Sequence, residues 1–240
     1  MAGEEAVNEA RGPWWLAFRV IDEPVEVFRQ LARRPRVLVP FILIVVVGIG
    51  FSFGTPQTVL RRQVERTANM LQERAPERFT EAQRLEMIEN AGSLPRRLTM
   101  AGSVVVAQVI TMFVVAGVLL LIFNAYGSEP LRYKDELAIT THAFIPQLLG
   151  MVLLVLLARF AGLEEMQLSL GFVFKEGFLH DLGVQFTPFG AWNIVLLALG
   201  NQIRTRTKSI GGPLAIVGVL WILVNFGFAA LASVFGGLAG

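Results

Sequence analysis

Two histidines, His142 and His180, are the first residues to weigh for chemistry, because an imidazole suits both metal binding and proton transfer near neutral pH. Neither has a His, Asp or Glu at metal-ligand spacing on a shared helix face, so both read as capped or interfacial histidines and no metal site is expected. Glu164 and Glu165 are adjacent, which points them to different helix faces and makes no acid/base pair. Thr111, Thr140 and Thr141 lack an evident base. The chain has no G-x-S-x-G, Walker, G-x-G-x-x-G or H-E-x-x-H pattern. It also has no cysteine, which excludes thiolate chemistry and disulfides. No catalytic residue, no cofactor and no enzymatic activity are therefore expected.

The polar residues that remain lie inside or beside long apolar runs. Gln108, Asn193 and Asn225 are amides within such runs, where an amide typically hydrogen-bonds across helices for about 1 kcal/mol. Arg33, Arg34 and Arg36 stand directly before the first run, and a cluster there suits anionic lipid headgroups at about 1 kcal/mol per basic residue. A net charge of +2 on 240 residues is too small to argue for a nucleic-acid partner.

The runs themselves set the fold class. Val104–Phe123 carries no charge and is apolar on every face. At roughly 1.5 Å per residue it spans about 30 Å, the thickness of a bilayer's hydrocarbon core. One such helix could be the buried centre of a soluble domain; several could not. Mean hydropathy is +0.57 and only 17% of residues are charged, mostly between the runs. The expectation is an all-α polytopic membrane bundle of about five spans, at 37–53, 104–123, 142–161, 186–202 and 214–235, the fourth being the most diluted by polar residues. Residues 1–36 form an N-terminal segment with a Trp14-Trp15 pair suited to the membrane–water interface and a short interfacial helix capped by Asp22 with Pro24 in its first turn. Gly50 and Gly54 form a small-xxx-small pair in span 1. The loop 55–97 holds two amphipathic helices. The first presents Leu60, Val64, Ala68 and Leu71, and the second starts at a Thr80–Gln83 capping box and is stopped by Gly92 and Pro95. Asn124–Thr141 reads as a loop, Arg159 as a snorkelling residue at the end of span 3, and 162–185 as an interfacial or re-entrant segment.

Basic clusters at Arg33/Arg34/Arg36, Arg132/Lys134 and Arg204/Arg206/Lys208 favour a cytosolic N-terminus and an outside C-terminus, against the arginines of 55–97. Three stretches then stand together: Pro24, Phe28, Leu31 and Pro35 leading into span 1; Tyr133-Lys134-Asp135-Glu136-Leu137-Ala138 running into His142-Ala143-Phe144-Ile145-Pro146; and Leu197-Ala198-Leu199-Gly200 with the basic loop before span 5. In that order the chain resembles the bacterial branch of the Yip1 domain family, from about Pro24 to Phe235. The resemblance implies a five-helix integral membrane protein of the bacterial cytoplasmic membrane with a cytosolic N-terminal region. The family's eukaryotic members act in vesicle trafficking and bind small GTPases and other membrane proteins; its bacterial members carry no settled activity, and the long 55–97 loop departs from the family pattern. The expected function is a scaffold or adaptor that organises membrane proteins or lipids. Its partners are the bilayer and either other membrane proteins or a second copy. The alternative is a transporter or lipid-handling permease subunit with a site between spans 3 and 4.

Overall fold

A computed structural model describes residues 13–74, 79–126, 130–160, 169–173, 183 and 186–237. Among these there is no β-strand. The helices, in chain order, are α1 (Pro13–Arg19), α2 (Pro24–Arg33), α3 (Leu38–Gly54), α4 (Gln57–Arg74), α5 (Glu81–Glu89), α6 (Leu94–Tyr126), α7 (Tyr133–Ala143), α8 (Ile145–Phe160), α9 (Pro188–Thr205) and α10 (Gly211–Gly237), with 3-10 turns at Asn90–Gly92 and Leu170–Val173. Each run predicted to span overlaps a helix, the run at 142–161 starting in α7 and continuing through α8. By length and composition, Leu94–Ala125 and Tyr133–Phe160 are able to cross a membrane, and Leu38–Gly54 with Gln57–Glu73 forms a pair bent by 88° that would make a third. Gly211–Gly227 is apolar but shorter. The all-helical membrane architecture is thus present, with two to three candidate spans among the described residues. The segment at 162–185 lies largely outside them.

The chain divides into two compact units. The first comprises residues 1–45, 107–149 and 189–222. Its core joins Leu16, Ala17 and Val20 near α1, Val27, Phe28 and Leu31 of α2, Leu119 and Phe123 of α6, Ala138 and Ile139 of α7, and Leu196 and Leu197 of α9. Helix α2 was expected at the interface, yet its apolar face is buried in this core, with Phe28 at 1% exposure. Asp22 does not cap it: the N-cap is Glu23, with no side-chain cap bond, and Glu23 instead pairs with Arg19. Arg19 also lies 4.3 Å over the Trp15 ring. Glu23, the residue at the N-cap position, is thus engaged by Arg19 through an i,i+4 pair.

Helix α6 shows why the chain needs lipid. Met112, Ala116, Leu119 and Phe123 are wholly buried on one face. Ile110, Val114 and Leu121 form the opposite face and are 56%, 57% and 73% exposed. Both stripes are apolar, whereas a helix facing water would carry charge on the second. The helix begins at Leu94, ten residues before the predicted span, because Pro95 starts it and does not stop the preceding one. A proline fits the first helical turn, where its missing N–H has no partner to lose.

In the second unit, residues 46–106, 150–188 and 223–240, the C-terminal end of α3 is held by two arginines. Arg97 Nη1 donates to the carbonyls of Ser52, Phe53 and Thr55 at 3.0, 3.1 and 3.2 Å, and Arg159 Nη1 reaches Gly54 O at 3.4 Å. These are carbonyls that a helix end leaves without intrahelical donors, at the negative pole of its dipole. Arg159 therefore does more than snorkel. Gly48 and Gly54 are the glycines of α3 that permit close approach, since a Cβ on either would stand 2.8 Å from Val105 or Val155. Gly50, predicted to pair with Gly54, faces open space.

Helices α4 and α5 form the expected amphipathic pair. Leu60, Val64 and Ala68 are buried, though Leu71 is not. The capping box is present: Thr80 N–H donates to Gln83 Oε1 at 2.9 Å and Gln83 N–H to Thr80 Oγ1 at 3.3 Å. Arg84, bonded to Glu81 at 2.6 and 2.9 Å, holds the Glu81 carboxyl below its ordinary range, aided by Gln72.

In the first unit, Gly200 of α9 lets that helix approach α7. A Cβ there would stand 2.5 Å from Ile139 Cγ2 and 3.1 Å from the Phe28 ring. G200V is expected to destabilise the protein by about 1–3 kcal/mol through overpacking, and G200A by less. Thermal unfolding in detergent measures both; a G200V protein as stable as wild type would contradict this close contact.

Candidate functional site: a buried polar joint between α7 and α9

Helix α7 starts where Arg132 is extended (φ −92°, ψ 148°) and its N–H donates to Asp135 Oδ2 at 3.3 Å. The same carboxylate oxygen accepts from Arg204 Nη2, in the last turn of α9, at 2.9 Å. An acid in the first turn of one helix and a cation in the last turn of the other each face the favourable pole of their own dipole. The Asp135 side chain is 9% exposed and that of Arg204 20%, so water screens the pair only in part.

One turn earlier on α9, Asn201 faces Glu136. Its Nδ2 donates to Glu136 Oε1 at 3.1 Å and to Leu197 O at 3.0 Å, and both side chains are wholly buried. Two turns earlier again, Asn193 Nδ2 donates to Ala143 O at 2.9 Å. Residue numbers fall along α9 as they rise along α7, so the two helices run antiparallel with polar bonds at both ends of the contact. Gly200 supplies the small surface between these bonds.

The Asn193 bond explains how the chain tolerates Pro146. Without an N–H at Pro146, the helix breaks at Phe144, and Gln147 N–H turns back to Phe144 O at 3.0 Å. That tighter bond leaves Ala143 O without its usual donor, and Asn193 supplies one. A neighbouring helix satisfying a freed carbonyl is what a proline-containing membrane helix requires. Nearby hydroxyls bond within their own helices: Thr205 Oγ1 to Asn201 O at 2.7 Å and Thr141 Oγ1 to Ala138 O at 3.2 Å. His142, 1% exposed, turns Nδ1 to Ala138 O at 2.9 Å.

Of the amides and the arginine cluster singled out from the sequence as candidate contacts, Asn193 alone enters this joint. Gln108 and Asn225 are half-buried, on α6 and α10. Arg33 and Arg34 are exposed at the end of α2, and Arg36 is half-buried just beyond. Glu164, Glu165 and His180 lie outside the described residues. Among the described residues no three His, Asp or Glu side chains gather as a metal set. Sequence reasoning gave no contact role to Asp135, Glu136, Asn201 or Arg204. It placed Asp135 and Glu136 in a loop from Asn124 to Thr141, whereas that stretch is helical from Tyr133 and buried from Asp135 to Ala143. The available signal was the absence of Gly, Pro and Asn from Tyr133 to Ala143, with two acids in the first turn.

Removing the Asn193 amide leaves a buried carbonyl without a donor. N193A is expected to cost about 1–3 kcal/mol, read from the unfolding midpoint in detergent. An unchanged midpoint would contradict the bond's role at the helix break.

The joint lies within a stretch that aligns with a known family. The model of the Yip1 domain matches residues 18–232, from the end of α1 into α10. No curated protein and no solved structure matches the chain. The match covers most of the 240 residues and all of α2 to α9, so the chain belongs to the Yip1 domain family.

Proposed function

We propose that this Yip1-domain protein is a non-enzymatic membrane scaffold or adaptor that organises other membrane proteins, or copies of itself, within a bilayer. The observation that carries this reading is the use of the buried polar side chains. Asn193, Asn201 and Arg204 all fasten α9 to α7, so the ionisable and amide groups serve helix packing. Outside the joint, the surface of α6 is apolar and open, the kind of face that lipid or another membrane helix covers.

The same reading gives five spans, adding α3, α9 and α10 to the two long candidates, in a bacterial cytoplasmic membrane with the N-terminus cytosolic. The 88° bend between α3 and α4 suits a span followed by a helix lying along the interface. Trp14 and Trp15, 47% and 37% exposed on α1, suit the headgroup level. A second reading, a transporter or lipid-handling permease subunit with a site between spans 3 and 4, draws on the buried Glu136 and Asn201 where α7 meets α9.

Mild-detergent extraction followed by size-exclusion chromatography with light scattering tests the scaffold. The expected result is a homo-oligomer or a stoichiometric complex. A monodisperse lone monomer, or solute uptake by proteoliposomes holding this chain alone, would contradict it. A further expectation concerns Arg33, Arg34 and Arg36. In nanodiscs of mixed lipid, the wild type should enrich anionic over zwitterionic lipid around itself, and R33A/R34A/R36A should lose that enrichment. Equal lipid ratios in the two proteins would reject a headgroup site.

A further inference from the structure

Three buried oxygens in the α7–α9 joint have no hydrogen-bond partner: Glu136 Oε2, Thr140 Oγ1 and Asn201 Oδ1. Thr140 stands one turn beyond Glu136 on the same face of α7. The orientation of the Asn201 amide follows from its surroundings. Its nitrogen meets two acceptors, Leu197 O and Glu136 Oε1, and uses both of its hydrogens on them. Its oxygen is therefore an acceptor in need of a donor. If Glu136 were a carboxylate, Oε2 would need one as well. The three oxygens would then hold a single proton between them, that of the Thr140 hydroxyl, and at least one buried acceptor would stay unmet.

We propose that Glu136 is a proton-binding site, occupied as a neutral carboxylic acid paired face to face with the Asn201 amide. Oε2–H donates to Asn201 Oδ1 while Asn201 Nδ2–H donates to Glu136 Oε1. The proton comes from the aqueous phase by ordinary acid–base exchange: an O–H bond of hydronium breaks, the Oε2–H bond forms, and water leaves. Two antiparallel hydrogen bonds then replace one, and both unmatched acceptors of the pair gain a partner.

No ion pair among the described residues reaches Glu136 to offer another solution. Around it, Arg204 of α9 is bonded to Asp135 and Lys134 is exposed. On α2, Glu26 accepts from Gln30 at 3.0 Å, and Arg29 and Arg33 are exposed. Near α1, Arg19 pairs with Glu23, and His142 faces Ala138 O. Within this unit, α6 and α10 contribute no charged residue. The inference goes beyond the scaffold reading and holds whether or not the protein has a partner.

Infrared difference spectroscopy of the detergent-solubilised full chain at neutral pH tests it. Wild type minus E136Q should show one protonated-carboxyl C=O band that shifts in D2O, and N201L should move that band by removing its hydrogen bond. E136Q, whose side-chain nitrogen donates where the acid did, should keep the wild-type melting midpoint. Should E136Q not fold, E136D must shift the band and not abolish it. A carboxylate band lost in E136Q would overturn the proposal, the result expected of a hydrated carboxylate. So would a melting midpoint that rises with Na+ in wild type and not in E136Q.

Discussion

Lipid tails offer no hydrogen bonds, and that one constraint organises the molecule. Every backbone N–H and C=O within an apolar run must find its partner in the protein, which leaves helices as the local structure for a chain this apolar. It also decides the fate of each polar side chain in those helices. Ser52, Thr55, Thr141 and Thr205 return their hydroxyls to carbonyls of their own helix. Asn193 meets Ala143 O, a carbonyl that the break before Pro146 sets free. Arg97 and Arg159 close the end of α3, where a helix would otherwise show bare carbonyls. At Asn193, Arg97 and Arg159 the departure from plain hydrophobicity coincides with a backbone carbonyl short of a helical donor.

The α7–α9 joint extends this rule from backbone to side chains. A carboxyl, an amide and an ion pair lie along one antiparallel contact, with Gly200 between them. Such an arrangement fixes register. A slip of one turn would set Arg204 against Glu136, leave Asp135 without its guanidinium and press a larger side chain into the place of Gly200. Leucines alone would tolerate that slip, because one apolar surface resembles the next. Polar groups in an otherwise greasy contact are thus a source of specificity, and membership in the Yip1 domain family places the joint within a domain that spans most of the chain.

Much of the helical plan was legible in the sequence because charge-free runs of spanning length allow few alternatives. The face of α4 through Leu60, Val64 and Ala68 was readable from its period, and the Thr80–Gln83 box from its residue types. What escaped reading was the setting of charged residues. Asp135 and Glu136 looked like loop residues because acids beside an apolar run ordinarily stay in water, and nothing local announces that Asn201 and Arg204, more than sixty residues later, will meet them. Pro95 misled for a related reason: a proline ends one helix or begins the next, and only the packed structure says which. A helix with one apolar face, such as α2, looks alike in sequence whether lipid or protein covers that face, and here Phe28 and Leu31 meet protein.

The central claim is that lipid, and no folded interior, covers the outward face of α6. Site-directed spin labelling on this cysteine-free chain tests it most directly. In reconstituted bilayers, labels at I110C, V114C and L121C should collide freely with oxygen, which partitions into lipid, and scarcely with a water-soluble nickel complex. Labels at A116C and L119C should be shielded from both. Strong nickel collision at the first three positions would contradict the account.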